Sequence, residues 1–400
     1  MHEHPGFRTI SVTVDDAGIA RLRLQRPGSA NTIDAELAEE LHRAAAALRW
    51  DPAVRVVVLS GEGKVFCGGG DLAEFAALGD RLPARLTSVT ADLHGALLAF
   101  AAMDAPLVAA VGGSAGGAGL SLVAGADLVV AARRAKFTMA YTGIALTPDG
   151  GASFFLSRAV GLRRAMELVL TNRVLSAEEA QEWGLVNVVV DDDALEAEVE
   201  SLAARLAAGP TASFGAAKRL FLEGAASDLA AALAREADSI SRASTTPDAA
   251  EGIAAFLAKR PPSFGEARRA PRPAGGPAST HEVTVFYNDA CSKCRSAVEL
   301  LDGRGVDYGL VEYLVAPPDR ATLESMVAKL VDPVADLVRT DDPAFAALGL
   351  APDRFTAPGA VVSLLLEHPE VMQRPVVVKG DRAVIARPPE RVDELLGPAS

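Results

Sequence analysis

The sequence lacks most of the features that mark secreted, membrane-spanning or disulfide-rich proteins. Of its 400 residues only 3 are cysteine, and aromatic residues make up 5%. The most apolar region, residues 96–130, is interrupted by Asp104, Pro106 and Asp127, so we predict no membrane span. The first ten residues have no apolar core of the kind that a secretory signal needs. We therefore expect a cytoplasmic protein with reduced cysteines.

Positive charge is also scarce. The chain has 39 Lys and Arg residues against 52 Asp and Glu residues, a net charge of -13, and its pI is near 5.0. Nucleic acids and anionic membranes repel such a surface, so we expect neither as a partner. Half of the residues are hydrophobic, and a chain of this length can form two or three domains.

Glycine, by contrast, is concentrated in two places. Residues 111–120 (Val-Gly-Gly-Ser-Ala-Gly-Gly-Ala-Gly-Leu) contain five glycines, after an apolar run at 107–111 that predicts a strand and before a predicted helix at 120–126. Backbone N–H groups at such a turn converge on one point, which suits an anion or a carbonyl oxygen that becomes negative. Neither nucleotide-binding glycine spacing is present. Close packing of the helix is the alternative explanation.

The second glycine cluster repeats this arrangement. Residues 61–71 (Gly-Glu-Gly-Lys-Val-Phe-Cys-Gly-Gly-Gly-Asp) follow an apolar run at 54–59 and precede a helical segment. Two such turns can each supply one N–H to a single oxygen, the minimum that an oxyanion hole needs. Predicted strands at 10–14 and 19–24, and a helix that Asp34 caps, complete an α/β pattern.

Seven motifs of the first 265 residues occur in the order found in the crotonase superfamily, the enoyl-CoA hydratases and isomerases. They are residues 66–72, the glycine run 111–120, and residues 135–137, 148–151, 175–180, 183–186 and 252–260. The resemblance covers roughly residues 8–265. It implies a spiral of ββα turns, a homotrimer or hexamer, and an acyl-CoA thioester as substrate, as in the degradation of fatty or aromatic acids.

The same resemblance implies the site residues. The N–H groups of Gly70 and Ala118 match the family's oxyanion hole. The positions that match its substrate-binding residues are Ser29, Ala30, Gly68, Gly69, Asp71 and Lys259. Coenzyme A enters as part of the substrate, and no bound cofactor or metal is implied.

The acid–base residues separate isomerases from hydratases. The positions of the two hydratase glutamates hold Ser121 and Tyr141, and neither can replace a carboxylate base. Asp149 stands where isomerases have Asp or Glu, and residues 135–141 are similar to ring-epoxide acyl-CoA isomerases. A single carboxylate can take a proton from one carbon and return it to another.

We therefore predict an isomerase, with a hydratase or an inactive acyl-CoA-binding protein as alternatives. An ordinary Pro-Asp-Gly turn is the alternative explanation of Asp149. We expect Cys67 to be a small buried residue beside the oxyanion hole. His42 and His94 lie on predicted helices, and we expect them to be solvated or packed.

Residues 267–280 are rich in proline and glycine and predict a linker between domains at 1–266 and 281–400. Beyond it, a predicted strand at 283–287 leads to a Cys-x-x-Cys pair, Cys291 and Cys294, where a helix begins. A thiol at a helix N-terminus has a lowered pKa and is a good nucleophile. A zinc site would need two more ligands, and the available histidines, His281 and His368, are at no familiar spacing.

Residues 283–396 resemble the glutaredoxin-type arsenate reductases of the thioredoxin fold. The matching segments are residues 286–291, 312–314, 336–340, 373–381 and 386–390. The resemblance implies Cys291 as nucleophile, an oxyanion clamp of Arg339, Arg374 and Arg387, and a cis proline at Pro375.

Three positions depart from that family's pattern. Tyr287 and Asp289 replace a common His and Pro, and Cys294 replaces a common Ser or Thr. Asp289 adds negative charge beside an anion site, which disfavours arsenate. Cys294 supplies a resolving thiol, which favours disulfide exchange with glutathione or a thioredoxin as possible reductant. The alternative is a domain that only docks partners.

Overall fold

The computed structural model describes residues 2–3, 6–225, 227–265, 283–288, 291–304, 306, 308–314, 318–342, 345 and 348–397. The chain forms two compact units, Met1–Pro271 and Arg272–Ser400. The predicted linker at 267–280, Asp289 and His281 lie outside the described residues. Among the helices that are described, none combines the length and the hydropathy that crossing a bilayer requires.

The larger unit is built on two sheets. The strands of the first are His2–Glu3 (β1), Ile10–Val14 (β2), Ile19–Leu24 (β3), Val56–Gly61 (β4), Leu107–Val111 (β6), Leu128–Ala132 (β8) and Val188–Val190 (β11), side by side in that order. From β1 to β3 the pairing is antiparallel, and from β3 to β11 it is parallel. The second sheet has the order β10-β9-β7-β5, with strands Val65–Cys67 (β5), Ser114–Gly116 (β7), Lys136–Thr138 (β9) and Leu175–Ser176 (β10).

Helices follow the strand pairs. They are Ala35–Trp50 (α1), Leu72–Ala76 (α2), Leu82–Ala102 (α3), Ala118–Ala124 (α4), Ala152–Val160 (α5), Leu162–Thr171 (α6), Ala177–Glu182 (α7), Leu195–Ala207 (α8), Thr211–Gly224 (α9), Leu229–Ser244 (α10) and Pro247–Leu257 (α11). Three times the chain leaves the first sheet, adds a short strand to the second and then enters a helix. This repetition brings the ends of β5 and β7 together.

The first sheet is buried on both faces, which explains the continuous apolar runs of its parallel strands. Side chains alternate between the faces of a strand. In β4, Val57 and Leu59 join the core that contains α1 and α3, whereas Val56 and Val58 pack with buried residues of α8.

The smaller unit is an α/β fold around a sheet of four strands. These are Val283–Tyr287 (β12), Tyr308–Glu312 (β13), Val376–Lys379 (β14) and Arg382–Ile385 (β15), in the order β13-β12-β14-β15. β12 pairs in parallel with β13 and antiparallel with β14, which is antiparallel to β15. Helices Ser292–Gly303 (α12), Arg320–Lys329 (α13), Pro358–Glu367 (α14) and Asp393–Leu396 (α15) complete it.

The α/β class predicted for both domains is confirmed, and several bounds agree to the residue, including the strands at 10–14, 19–24 and 283–287. Asp34 caps α1 by accepting a hydrogen bond from the Leu37 N–H at 2.8 Å. The peptide bond before Pro375 is cis, as expected. The helix predicted at 120–126 instead begins at Ala118, because Gly117, with φ 51°, ends the turn there as its N-cap.

Candidate active site

The two glycine turns lie against each other. β5 and β7 pair in parallel with Cys67 opposite Ala115, so both turns leave the same edge of the second sheet. Gly69 has φ 100°, and a Cβ added there would lie 3.0 Å from the Gly116 carbonyl oxygen and 3.5 Å from the Ala118 nitrogen. Both the positive φ and the close approach require glycine.

The predicted oxyanion N–H groups are the free donors of these turns. The Ile33 N–H donates to the Gly69 carbonyl at 2.7 Å, and the Ile33 carbonyl accepts the Asp71 N–H at 2.9 Å. These two bonds pair Ile33 with Gly70, whose own N–H is directed away from Ile33. Ala118 is the first residue of α4, so its N–H has no acceptor within the helix. Neither N–H donates to an acceptor in the part of the chain that the structure describes.

The predicted substrate loop touches the first turn. Ala30, in the left-handed region with φ 52°, accepts the Gly68 N–H at 2.9 Å. A Cβ on Gly68 would lie 3.6 Å from that of Ala30. Ser29 is exposed just before it. An acyl chain or thioester held at the turn would therefore meet this loop.

Asp71 stabilises the same turn from within the protein. Its Oδ2 accepts from the Thr32 hydroxyl at 3.0 Å and from Arg26 at 3.1 Å, and its Oδ1 accepts the Glu74 N–H at 3.1 Å as the N-cap of α2. Burial opposes ionisation, but these donors together hold the pKa of Asp71 below its usual range. Both carboxylate oxygens of Asp71 are thus engaged by the loop that they hold in place.

The Asp149 loop is tied to the start of α4. The Tyr141 hydroxyl donates to Asp149 Oδ1 at 2.5 Å, and the Ser121 hydroxyl donates to the Asp149 carbonyl at 2.9 Å. The Tyr141 ring lies 3.8 Å from the place that a Cβ on Gly117 would occupy. The Tyr141 side chain therefore lies between Asp149 and Gly117, the residue that precedes Ala118.

Burial is the main cause that raises the pKa of Tyr141, and the neighbouring Asp149 carboxylate raises it further. The phenol therefore stays protonated and remains a donor. Ser121 and Tyr141, which the resemblance puts at the positions of the hydratase glutamates, each place a hydroxyl group against Asp149.

His94 belongs to this site, although we expected it to be only solvated or packed. Its Nε2 accepts the Gly150 N–H at 3.2 Å from a position 56 residues earlier on α3. The sequence carries no signal for this contact, because it depends on how α3 is rotated against the Asp149 loop. Cys67 is buried as predicted, and burial raises the pKa of its thiol to about 12.

Lys259 is the predicted residue that no described contact joins to this region. It lies two residues beyond the end of α11, exposed, with φ 53°. The predicted residues that the structure brings together in the larger unit are Ser29, Ala30, Gly68, Gly69, Gly70, Asp71, Ala118 and Asp149.

In the smaller unit, Cys291 immediately precedes α12, and both cysteines of the pair are thiols. Burial opposes ionisation of Cys291, but hydrogen bonds from the Cys294 backbone and thiol, the Lys293 N–H and the Arg374 guanidinium outweigh it, and its pKa is lowered. Burial raises the pKa of Cys294 to about 12. The Cys291 thiol therefore ionises more readily than an ordinary thiol, whereas the Cys294 thiol is buried and stays protonated.

The three predicted clamp arginines are not equivalent. Arg374 contacts Cys291 and donates to the Tyr313 hydroxyl at 2.9 Å. Arg339 is ion-paired with Asp342, and Arg387 donates to the Gln373 side chain at 2.7 Å. Of the three arginines, Arg374 is the one that the described interactions join to Cys291.

Comparison with known proteins agrees with both folds. Residues 15–268 match the enoyl-CoA hydratase/isomerase family, and residues 286–395 match the ArsC family. The chain belongs to the enoyl-CoA hydratase/isomerase family of the crotonase superfamily, and it carries an ArsC-family, thioredoxin-like domain after the family's own.

Its relatives have different named activities. A probable enoyl-CoA hydratase of Rhodobacter capsulatus is 39% identical over 64% of this chain and 98% of its own length. The 1,2-epoxyphenylacetyl-CoA isomerase of Escherichia coli is 36% identical over 62% of this chain and 95% of its own length. The 4-chlorobenzoyl coenzyme A dehalogenase-2 of Arthrobacter is 36% identical over 61% of this chain and 89% of its own length. The crystal structure of a putative enoyl-CoA hydratase/isomerase from Mycobacterium abscessus superposes with a TM-score of 0.61 at 39% identity, over 64% of this chain and 99% of that one.

Proposed function

We propose that the larger unit is an acyl-CoA isomerase that works through a thioester enolate and a single carboxylate, Asp149. The observation that carries the proposal is the junction of the two glycine turns with the Asp149 loop. The free N–H groups of Gly70 and Ala118 would stabilise the enolate oxygen, and each such donor contributes about 3 to 4 kcal/mol to a transition state.

In this scheme Asp149 takes a proton from one carbon of the acyl chain, the electrons move onto the thioester oxygen, and the same carboxylate returns the proton to another carbon. No bound cofactor or metal takes part. A hydratase would also need a second carboxylate to activate water, but Ser121 and Tyr141 stand at those positions. The relatives named as isomerases support this choice, and those named as hydratases keep the alternative in view.

The test compares two reactions of the full-length protein. We expect it to shift the double bond of an unsaturated acyl-CoA, or to rearrange a ring-epoxide acyl-CoA, and to hydrate crotonyl-CoA at least a hundredfold more slowly. Fast hydration would favour the hydratase alternative. Binding of acyl-CoA without any turnover would favour an inactive acyl-CoA-binding protein.

We also propose that the larger unit assembles into a trimer or hexamer. Several large apolar side chains of α9, α10 and α11 are exposed, among them Phe221 at 84%, Phe256 at 82% and Leu257 at 76%. Apolar surface of this extent is usually covered by a partner. Closed homo-oligomers cover such a face symmetrically.

For the smaller unit we propose thiol–disulfide exchange rather than arsenate reduction. Two of the three clamp arginines are engaged by Asp342 and Gln373, whereas Arg374 supports the Cys291 thiolate. Cys291 would attack a disulfide sulfur and release one thiol, and Cys294 would then attack Cys291 and release the other. Glutathione or a thioredoxin would reduce the resulting disulfide, which fits a reducing compartment such as the cytoplasm. Arsenate-dependent oxidation of the reduced protein at a higher rate than oxidation by glutathione disulfide would refute this proposal.

A further inference from the structure

The Asp149 backbone and the Asp149 side chain are held by different groups. Ser121 donates to the Asp149 carbonyl at 2.9 Å, and His94 accepts the Gly150 N–H at 3.2 Å, so both bonds hold the single peptide unit that joins Asp149 to Gly150. Neither contact restrains the carboxylate. Among the described residues, Tyr141 is the one that donates a hydrogen bond to it.

Tyr141 is itself firmly placed. Its carbonyl accepts the Ile144 N–H and the Leu146 N–H, both at 3.1 Å, and its N–H donates to Met139 at 2.7 Å. These bonds close the short turn between β9 and the Asp149 loop. Its ring is partly buried beside Gly117, so the hydroxyl has little freedom to leave Asp149 Oδ1.

We propose that Tyr141 is a positioning residue that holds Oδ1 of Asp149, so that Oδ2 is the atom that takes the proton from the substrate and returns it. The inference rests on the proposed isomerase function. A carboxylate with both oxygens free can rotate about its side-chain torsions, and a misplaced base loses rate steeply. With Oδ1 occupied by a phenol that stays protonated, the proton taken from the substrate resides on Oδ2, the oxygen that faces the substrate in this scheme. The proton is therefore returned to the same molecule.

Tyr141→Phe removes the hydroxyl and keeps the ring. In the full-length protein we expect kcat to fall about tenfold to a hundredfold, because one hydrogen bond to a charged group is lost, with KM changed less than about twofold. We also expect a larger share of the migrating hydrogen to be exchanged with solvent, measured with substrate deuterated at the carbon that loses its proton. Tyr308→Phe, on β13 of the smaller unit, is the matched control and should leave both values unchanged.

Two further variants test the role should Tyr141→Phe unfold. Tyr141→Gln retains a donor and should keep more activity than Tyr141→Leu, which is close to it in size.

Tyr141→Phe should have no further effect in the Asp149→Asn protein.

If Asp149→Asn retains full turnover, the proposed isomerase mechanism itself fails. If Asp149→Asn is inactive but Tyr141→Phe keeps the wild-type kcat and label retention, the inference about Tyr141 alone is overturned. A raised KM at unchanged kcat would also overturn it, because Tyr141 would then be a substrate-binding residue.

Discussion

Adding one methyl group at Gly69 should damage catalysis far more than it damages stability. The Cβ of Gly69→Ala would lie 3.0 Å from the Gly116 oxygen and 3.5 Å from the Ala118 nitrogen, at a backbone φ of 100°. Strain of this kind costs about 1 to 3 kcal/mol. Separation of the two turns relieves this contact, and it moves the Gly70 and Ala118 N–H groups apart. Loss of one oxyanion donor lowers kcat by about a hundredfold to a thousandfold.

The matched control is Gly184→Ala. Gly184 also has a positive φ, 85°, and its Cβ would lie 3.2 Å from the backbone oxygen of Ala159. Both variants should therefore lose similar stability in thermal melts. Only Gly69→Ala should lose most of the proposed isomerase activity when both are assayed well below their melting temperatures. Equal activity in the two variants would refute the account of the two turns as an oxyanion hole.

Other consequences of the structure can be tested in the same way. Asp71→Asn should lower the free energy of unfolding at pH 7 by about 1.5 to 3 kcal/mol. Because the pKa of Asp71 is lowered in the folded wild type, the difference in stability between the two proteins should shrink as the pH falls below the ordinary carboxyl pKa of 3.8. A difference in stability that is independent of pH would contradict this role of the ionised carboxylate. Cys291 should be alkylated at a pH below the range of an ordinary thiol, and Cys294 only in alkali, as mass spectrometry after timed labelling would show; similar rates for both would contradict the assignment. If the larger unit forms the proposed trimer or hexamer, Phe256→Glu should lower its mass in light scattering, and an unchanged mass would contradict an interface at Phe256.

The sequence was most informative where the backbone conformation itself requires a particular type of residue. A turn with positive φ that approaches another backbone tolerates only glycine, so the glycines in residues 68–70 and 112–119 predict two tight turns, which meet at Gly69 and Gly116. The parallel strands could be predicted equally well, because a strand that is buried on both faces has a continuous apolar run in the sequence.

Side-chain partners were much harder to predict. The sequence predicts Tyr141 only as the replacement of a hydratase glutamate, and His94 only as a solvated or packed helix residue. In the structure both residues contact the Asp149 loop. These contacts depend on helix rotation and on loop path, which periodicity does not specify. The same holds for the contacts of Arg339 with Asp342 and of Arg387 with Gln373, for which the sequence carries no signal.

The most direct test of the central claim is the activity of Asp149→Asn. Asparagine keeps the size of the side chain and can still meet the Tyr141 hydroxyl, but it cannot accept and return a proton as a carboxylate does. We predict that isomerisation of an unsaturated acyl-CoA falls at least a thousandfold, while the affinity for a non-reactive acyl-CoA thioether, measured by calorimetry, changes less than about threefold. Retention of wild-type turnover by Asp149→Asn would contradict the claim that this carboxylate carries the proton.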